Sequence, residues 1–217
     1  MSLTERLTDE LRRRVLSGQL APGTVVVEPR LAEEFDVSKT PIRESLRQLT
    51  SEGLLQILPK KGYLVRAVTY NDVYETLDLR MLLEPFATAA ATRTADAELL
   101  DTLRGHLDQQ ERLAASDPIG SMHAAQRFHE LLAKAGGNSR ITSTLDKCLA
   151  DTARAHYVLP GMQQYMSNSQ EITEHRRILG AMERGDSDEA QLAMAEHLKS
   201  IRAAMLGQHT ESGGLWE

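Results

Sequence analysis

Residues 22 to 65 constrain the fold more than any other stretch, because they combine two short helical patterns, a tight joint and two apolar runs around a turn. Pro29 suits the first turn of a helix, where its missing N–H costs nothing. Residues 36 to 37 form the joint. Thr40 is the predicted N-cap of the second helix and Pro41 its first residue. The stretch therefore predicts a helix-turn-helix unit.

The second helix of this pair has an apolar side and a basic side. Its apolar residues recur at helical spacing and predict a buried stripe, formed by Ile42, Leu46 and Leu49. Its cations recur on the opposite side, at Lys39, Arg43 and Arg47. A row of cations on a helix whose opposite face is buried in the core fits the major groove of DNA. The alternative is a solvated helix face without a partner.

The apolar runs that follow Gly53 predict a β-hairpin. The runs LLQIL and YLV flank residues 59–62, a turn in which Gly62 permits a special dihedral angle. Lys60 and Lys61 in this turn could reach DNA phosphates. The segment TVVVE, before the first helix of the pair, can add a small strand. We interpret the hairpin as the wing of a winged helix-turn-helix.

The two halves of the chain differ in charge. The 217 residues hold 25 Lys and Arg against 31 Asp and Glu, for a net charge of -6. Residues 1–69 hold 11 of these cations and 9 of these anions, net +2, which leaves 14 against 22, net -8, for the rest. A basic footprint on an otherwise acidic body is typical of a protein that binds nucleic acid through one part.

The location of the protein is predicted from what the sequence lacks. Its single cysteine, Cys148, excludes an internal disulfide framework. We find no secretory leader and no apolar run near the ~18 residues that a membrane helix needs. We therefore expect a cytoplasmic protein without membrane association.

From Tyr70 onward the apolar residues follow a helical period. Asn71 or Asp72 is the predicted cap of the first helix. Further helices are predicted at residues 95–115, 119–135, 139–158, 169–184 and 187–206, with breaks at 117–118, 136–138, 160–161 and 185–186. The predicted fold is mainly α, with a winged helix-turn-helix in 1–69, an antiparallel bundle of six or seven helices in 70–206 and a loosely held tail in 207–217.

The segments GQLAPG, LAEEFDVSKTPIRESLRQLTSEGLL and KKGYLV resemble the N-terminal domain of the GntR family of bacterial transcription regulators. The resemblance implies a set of DNA-facing positions. With the other cations of the helix and wing, the expected DNA-binding residues are Ser38, Lys39, Thr40, Arg43, Arg47, Lys60, Lys61 and Gly62. Lys39 stands where the family usually has Arg. The positive charge is kept at this position, but a lysine lacks the planar guanidinium that can donate two hydrogen bonds to one base.

The second half resembles the all-helical effector domain of the FadR-type branch, called the FCD domain. The matching residues are Asp78, Arg80 and Glu84, then Phe128-His129 and Gly137-Asn138, then residues 174–186, and finally Ala190 and His197. The resemblance implies a domain that senses small carboxylates or related metabolites, and a homodimer paired through these domains.

Three histidines lie on different predicted helices, each on or beside an apolar stripe: His129, His175 and His197. A bundle could bring them together as three neutral nitrogen ligands, or they could be hydrogen-bonded core residues without a metal. Many members of the resembled domain hold a divalent metal of the zinc, nickel or manganese type with one Asp and three His. Here Ala125 occupies the expected Asp position, and neither Gln126 nor His123 is a convincing substitute.

The candidate effector-binding residues are Arg80, Asn138 and Arg154. Arg80 matches a position that often faces the cavity in the resembled domain, and its guanidinium fork suits a carboxylate. The alternative for Arg80 is an ion pair with Glu84 on the same helix.

The sequence thus predicts a ligand-responsive DNA-binding regulator, most simply a repressor, and no enzyme. It would bind a pseudo-palindromic operator as a dimer. Two alternatives remain open at this point. One is a metal-dependent hydrolase fused to a DNA-binding module, which would need a general base that no recognisable motif provides. The other is a constitutive architectural DNA-binding protein with a vestigial pocket.

Overall fold

The computed structural model describes residues 2–158 and 169–211, and the chain forms two compact units, Met1–Thr69 and Tyr70–Glu217. The predicted break at 160–161 and the end of the predicted tail, 212–217, lie outside the described residues. In the described ranges the chain is mainly helical, with one small sheet, as predicted. None of the described helices is long and apolar enough to cross a membrane.

The first unit is a winged helix-turn-helix. Its elements are α1 (Leu3–Leu16), β1 (Val25–Val26), α2 (Glu28–Glu34), α3 (Lys39–Ser51), β2 (Leu55–Leu58) and β3 (Gly62–Val65). The strands form an antiparallel sheet in the order β1-β3-β2, so the TVVVE segment adds the third strand. The α1 helix packs on α3, and the predicted stripe of α3 is buried in the core of the unit with Leu11 of α1.

The predicted start of α3 is wrong by two residues. The helix begins at Lys39 with Ser38 as its N-cap, so Thr40 lies inside the first turn and Pro41 is the third helical residue. Proline is tolerated there because the first four N–H groups of a helix have no partner within the helix. The pattern of Thr followed by Pro therefore did not locate the cap.

Two residues of the wing turn have a positive φ, Gly62 as expected and Lys60 in addition. The Lys61 N–H donates to the Leu58 carbonyl (3.0 Å), and Lys60 has a φ of 63°. Gly62 also has a positive φ, but its special role is close packing, because a Cβ there would collide with the Val26 carbonyl of β1. The glycine thus allows the third strand to approach the hairpin.

The second unit is a bundle in which six helices are described. They are α4 (Tyr70–Thr94), α5 (Ala97–Leu113), α6 (Pro118–Ala135), α7 (Ser139–Val158), α8 (Ser169–Glu183) and α9 (Ser187–Glu211). The α4 helix packs on α6, α7 and α9, while α5 packs on α6 and α8. Because α4 begins at Tyr70, neither Asn71 nor Asp72 is its cap, and α9 runs past its predicted end at residue 206.

Candidate DNA-binding surface and metal centre

The predicted DNA-facing residues of α3 are on its exposed side. Ile42, Leu46 and Leu49 are buried, whereas the side chains opposite them are exposed, including Lys39, Arg43 and Arg47. Ser38 and Thr40 are also exposed at the start of the helix, as are Lys60 and Lys61 in the wing turn, and Gly62 is half-buried. The first unit therefore presents basic groups from a helix with a buried back and from a wing.

Arg43 is held by a carboxylate of the neighbouring helix. Its Nε donates to both oxygens of Glu28 (2.9 and 3.0 Å), and its Nη2 donates to Oε2 (2.7 Å). The Tyr63 hydroxyl of β3 donates to Glu28 Oε1 (3.3 Å). The guanidinium lowers the pKa of Glu28 below its ordinary value, so this carboxylate is charged at neutral pH.

The three predicted histidines of the second unit meet in its interior. His129 lies on α6, His175 on α8 and His197 on α9, and all three are buried. The Nε2 atom of His175 is 3.1 Å from that of His129 and 3.3 Å from that of His197. One nitrogen from each ring can be chosen so that all three lie within 4.8 Å of one another. Three helices thus bring three nitrogen ligands to one point.

The other nitrogen of each ring is fixed by an acceptor. The Nδ1–H of His129 donates to Glu84 Oε2 (2.6 Å), and that of His197 to Glu174 Oε2 (2.8 Å). His175 Nδ1 is 2.8 Å from Gln110 Oε1, and the amide nitrogen of Gln110 donates to Glu171 Oε2 (3.1 Å), which sets the orientation of the amide. With each proton on Nδ1, all three Nε2 atoms carry lone pairs.

This arrangement fits a metal cation. Three Nε2 atoms face one another at hydrogen-bond distance in a buried site, and with the ring protons on Nδ1 a cation between them would satisfy their lone pairs. Burial lowers the pKa values of His175 and His197, which favours the neutral form of these two rings. Neutral imidazoles with Nδ1–H bound to oxygen acceptors are the usual form of histidine metal ligands.

A small cavity adjoins the histidine cluster. It is lined by Arg80, Met122, Ala125, Gln126, His129, Leu149, Thr152, Ala153, His156, Glu171 and Ile201. Its volume is about 40 Å³, room for only a few water molecules. Ala125, at the position where the resemblance implied an Asp, leaves that part of the wall apolar. Gln126, which we discounted from the sequence, lines this cavity, while its amide donates to Glu130 (2.7 Å).

The charges at the cavity are balanced. Arg80 is buried and donates to Glu84 on the same helix, so the ion pair that we weighed as an alternative exists, and Arg80 still lines the cavity. Burial lowers the pKa of His156 to about 4, and its Nδ1–H donates to the Thr152 carbonyl (2.8 Å). Burial also raises the pKa of Glu171. Among the described lining residues, the sole formal cation is therefore already paired.

Two predicted effector-binding residues are not among those that line the cavity. The side chain of Asn138 is exposed and accepts from the N–H groups of Arg140 and Ile141 (3.1 and 3.2 Å), so it caps the start of α7. Arg154 is buried on α7, yet it does not line this cavity. The Asn138 oxygen is thus used in capping, and the role of Asn138 in effector binding stays a prediction.

Sequence reasoning missed the groups that hold the histidines in place. Glu84 was considered as a match to the resembled domain and as a partner of Arg80, and Gln110 was not considered. Glu174 was part of the pattern around His175 without an assigned role, and Glu171 was not considered. No local signal pointed to these contacts, because Glu174 is adjacent to His175 in sequence but binds His197, and Gln110 lies on another helix, 65 residues before His175.

Together, the first unit and the helical unit define a class of protein in which a DNA-reading module is joined to a helical sensor-type domain. Residues 3–65 match the bacterial regulatory proteins of the gntR family, and residues 75–200 match the FCD domain. The chain belongs to the GntR family of transcriptional regulators, in the branch that carries an FCD domain.

Relatives agree with this assignment, and a solved structure shows the same fold. The chain is 32% identical over 194 residues to an HTH-type transcriptional regulator in an unstable DNA locus of Streptomyces ambofaciens, covering 88% of this chain and 80% of the relative. It is 27% identical to the HTH-type transcriptional repressor RspR of Escherichia coli, covering 88% and 83%. E. coli McbR/YncC has the same fold, with a TM-score of 0.77, 20% identity and coverage of 96% and 99%.

Proposed function

We propose that this protein represses transcription as a ligand-responsive homodimer, with the first unit binding operator DNA and the helical unit binding a small carboxylate beside a divalent metal. The observation that carries the sensing half of this proposal is the convergence of three histidine Nε2 atoms next to a cavity. Repression and regulation without catalysis are supported by relatives, since RspR is named a repressor. We expect no turnover by this domain.

DNA binding is assigned to the exposed residues of α3 and the wing turn. They are Ser38, Lys39, Thr40, Arg43, Arg47, Lys60, Lys61 and Gly62. Because two copies related by a two-fold axis present two such helices, the operator is a short pseudo-palindrome. Lys39 contributes a point charge, whereas the planar fork of Arg43 can bind two acceptors of one base edge. Base reading on α3 therefore depends chiefly on Arg43.

Arg43→Ala is expected to weaken operator binding by ~1 to 3 kcal/mol and to relax base selection at one position in each half-site. The measurement is a gel-shift series on duplexes that carry each of the four base pairs at every position, at one salt concentration. Lys61→Ala is the control, since loss of a phosphate contact weakens all duplexes alike. Equal loss on operator and random DNA in Arg43→Ala would reduce its role to a phosphate contact.

The metal would be held by His129, His175 and His197, and its identity is of the zinc, nickel or manganese type. When bound, it supplies a positive charge with positions open to an oxygen ligand. The residues of the chain do the remaining work. Glu84, Gln110 and Glu174 orient the three rings and keep their protons on Nδ1, away from the point where Nε2 atoms meet.

Selection of a carboxylate depends on this metal. The guanidinium of Arg80 is paired with Glu84, and His156 is neutral at pH 7 because its pKa is about 4. A carboxylate entering the cavity would therefore meet little unbalanced positive charge from the lining residues, and the Glu171 carboxylate opposes it whenever ionised. The cavity of about 40 Å³ must also widen for any ligand larger than a few waters.

A thermal-shift screen of small carboxylates is expected to give stabilisation only with metal-loaded protein. The control is the same panel after treatment with a chelator. A specific ligand should then change the affinity of the protein for operator DNA in gel shifts. DNA affinity that is indifferent to every carboxylate in the panel would instead support the constitutive architectural alternative.

The second copy is expected to pack on an apolar surface of α4 and α9. Its exposed large residues are Leu79, Leu82, Phe86 and Leu192. Leu82 is 74% exposed, and a contiguous apolar surface of this kind marks an interaction site. The groove between these helices, lined by Leu82, Phe86 and Leu192 among others, belongs to the same surface.

Leu82→Asp is expected to convert the dimer to a monomer, because it would bury a charge in the interface. Light scattering after gel filtration measures the mass, and operator affinity should fall at least ~100-fold with the loss of two-site binding. Ile119→Asp is the matched control, since Ile119 is an exposed apolar residue of α6 outside this surface. Dimers that persist in Leu82→Asp would place the interface elsewhere.

A further inference from the structure

An acidic residue lies within the surface that we assign to DNA binding. Glu28 is in the first turn of α2, and its carboxylate reaches the exposed side of α3. A negative charge close to DNA phosphates opposes binding. Glu28 would therefore weaken DNA binding unless its contacts within the protein compensate for this repulsion.

The contacts of Glu28 are those of a clamp on one side chain. Both of its oxygens accept from Arg43, at 2.7 to 3.0 Å, and Oε1 also accepts from the Tyr63 hydroxyl. The Glu28 side chain is 18% exposed, while the Arg43 side chain is 50% exposed. The pair thus joins the first turn of α2, the exposed face of α3 and strand β3 of the wing.

The bonds to Glu28 use one edge of the guanidinium. They involve Nε and one N–H of Nη2, so the end of the fork that joins Nη1 and Nη2 is not consumed by the carboxylate. A guanine presents O6 and N7 to the major groove, and two N–H groups of an arginine can bind both. An arginine can therefore accept a clamp on its side edge and still read a guanine with its end.

We propose that Glu28 is a positioning residue that holds the Arg43 guanidinium in one orientation for base reading, so that it increases specificity for a guanine and not affinity for DNA in general. The proposal rests on the proposed DNA-reading role of Arg43. A free arginine loses rotamer freedom when it binds a base, whereas a clamped arginine has lost that freedom beforehand. A clamped guanidinium is also less able to turn towards a phosphate when the base is wrong.

The test uses the full-length protein and the duplex that the wild type selects from a randomised pool. Discrimination is the ratio of the dissociation constants for two duplexes. The first is the selected duplex, and the second differs from it only at the guanine pair that the Arg43→Ala variant no longer distinguishes. Glu28→Gln is expected to reduce this ratio by roughly tenfold, the effect of a weakened bidentate contact. Affinity for random DNA should stay equal or rise, because a negative charge has been removed.

Glu34→Gln is the matched control. It removes the same charge from the same helix, and its partner is Arg14 instead of Arg43. It should leave the discrimination ratio unchanged. Tyr63→Phe, which removes one hydrogen bond to Glu28, should reduce the ratio less than Glu28→Gln does. Thermal melting of each variant checks that the first unit is folded.

The double variant Glu28→Gln/Arg43→Ala decides whether Glu28 acts through Arg43. The proposal requires that Glu28→Gln causes no further loss of discrimination in the Arg43→Ala background. The proposal is overturned if Glu28→Gln lowers the discrimination ratio equally in the wild type and in Arg43→Ala. It is also overturned if Arg43→Ala lowers the ratio and Glu28→Gln leaves it unchanged. If Arg43→Ala leaves every ratio unchanged, the base-reading role itself fails, and the positioning role fails with it.

Discussion

His175→Ala is expected to abolish binding of a divalent metal by the helical unit. His175 is the central member of the cluster, since its Nε2 is within 3.3 Å of the other two. Its removal leaves two nitrogen ligands, and two ligands from the protein do not usually hold such a metal against competing water. Elemental analysis after loading with zinc, nickel or manganese and gel filtration should give about one metal per chain for the wild type and almost none for the variant.

His106→Ala is the control for this measurement, because His106 is a half-buried histidine of α5 outside the cluster. Metal should raise the melting temperature of the wild type and of His106→Ala, and it should leave that of His175→Ala unchanged. Chelator treatment of the wild type gives an independent check that needs no substitution. Equal metal content in His175→Ala and His106→Ala would rule out the cluster as the metal site.

Glu84→Ala is expected to destabilise the helical unit by about 3 to 5 kcal/mol, the usual cost of leaving a buried charge without its partner. Glu84 is buried, as is Arg80, and the same carboxylate accepts from His129 Nδ1. Arg80 and His129 lower the pKa of Glu84 well below its ordinary value, although burial opposes them, so the carboxylate is ionised in the folded protein. Removing it leaves the buried Arg80 guanidinium without its carboxylate partner and the His129 ring without the acceptor for its Nδ1–H.

Urea denaturation of metal-free protein, followed by circular dichroism, measures this loss. Glu75→Ala is the matched control, since Glu75 is an exposed glutamate of α4 that accepts from Asn71. Its expected effect is within about 0.5 kcal/mol, as for most surface substitutions. An effect of Glu84→Ala as small as that of Glu75→Ala would mean that Arg80 finds another partner at little cost.

The sequence was sufficient for features that depend on local pattern. The stripe of α3 could be predicted because residues at helical spacing share one face, and each of its three members is buried. The cap of α3 could not be located, because Ser38 and Thr40 are both good N-cap residues and Pro41 fits the first turn after either. The Lys60 conformation was missed because glycine is the default residue for a positive φ.

The three histidines of the candidate site could be predicted from the sequence, whereas the residues that hold them in place could not. The three histidines lie on apolar stripes of different helices, so a bundle could bring them together. Their hydrogen-bond partners depend on how those helices pack and turn. Gln110 illustrates the limit, since nothing near it in sequence relates it to His175. Asn138 was expected at a probable helix start and caps α7, while its role in effector binding stays a prediction.

The amide of Gln110 makes the cavity and the histidine cluster parts of one hydrogen-bonded chain. Its oxygen orients His175, and its nitrogen donates to Glu171 at the cavity wall. A molecule that displaces Glu171 would therefore also alter the hold on the His175 ring, and with it the strength of the proposed metal site. Because coupling between two binding equilibria is mutual, under the proposed function the supply of metal would set how much effector is needed for a response. The regulator would report the two concentrations as one signal.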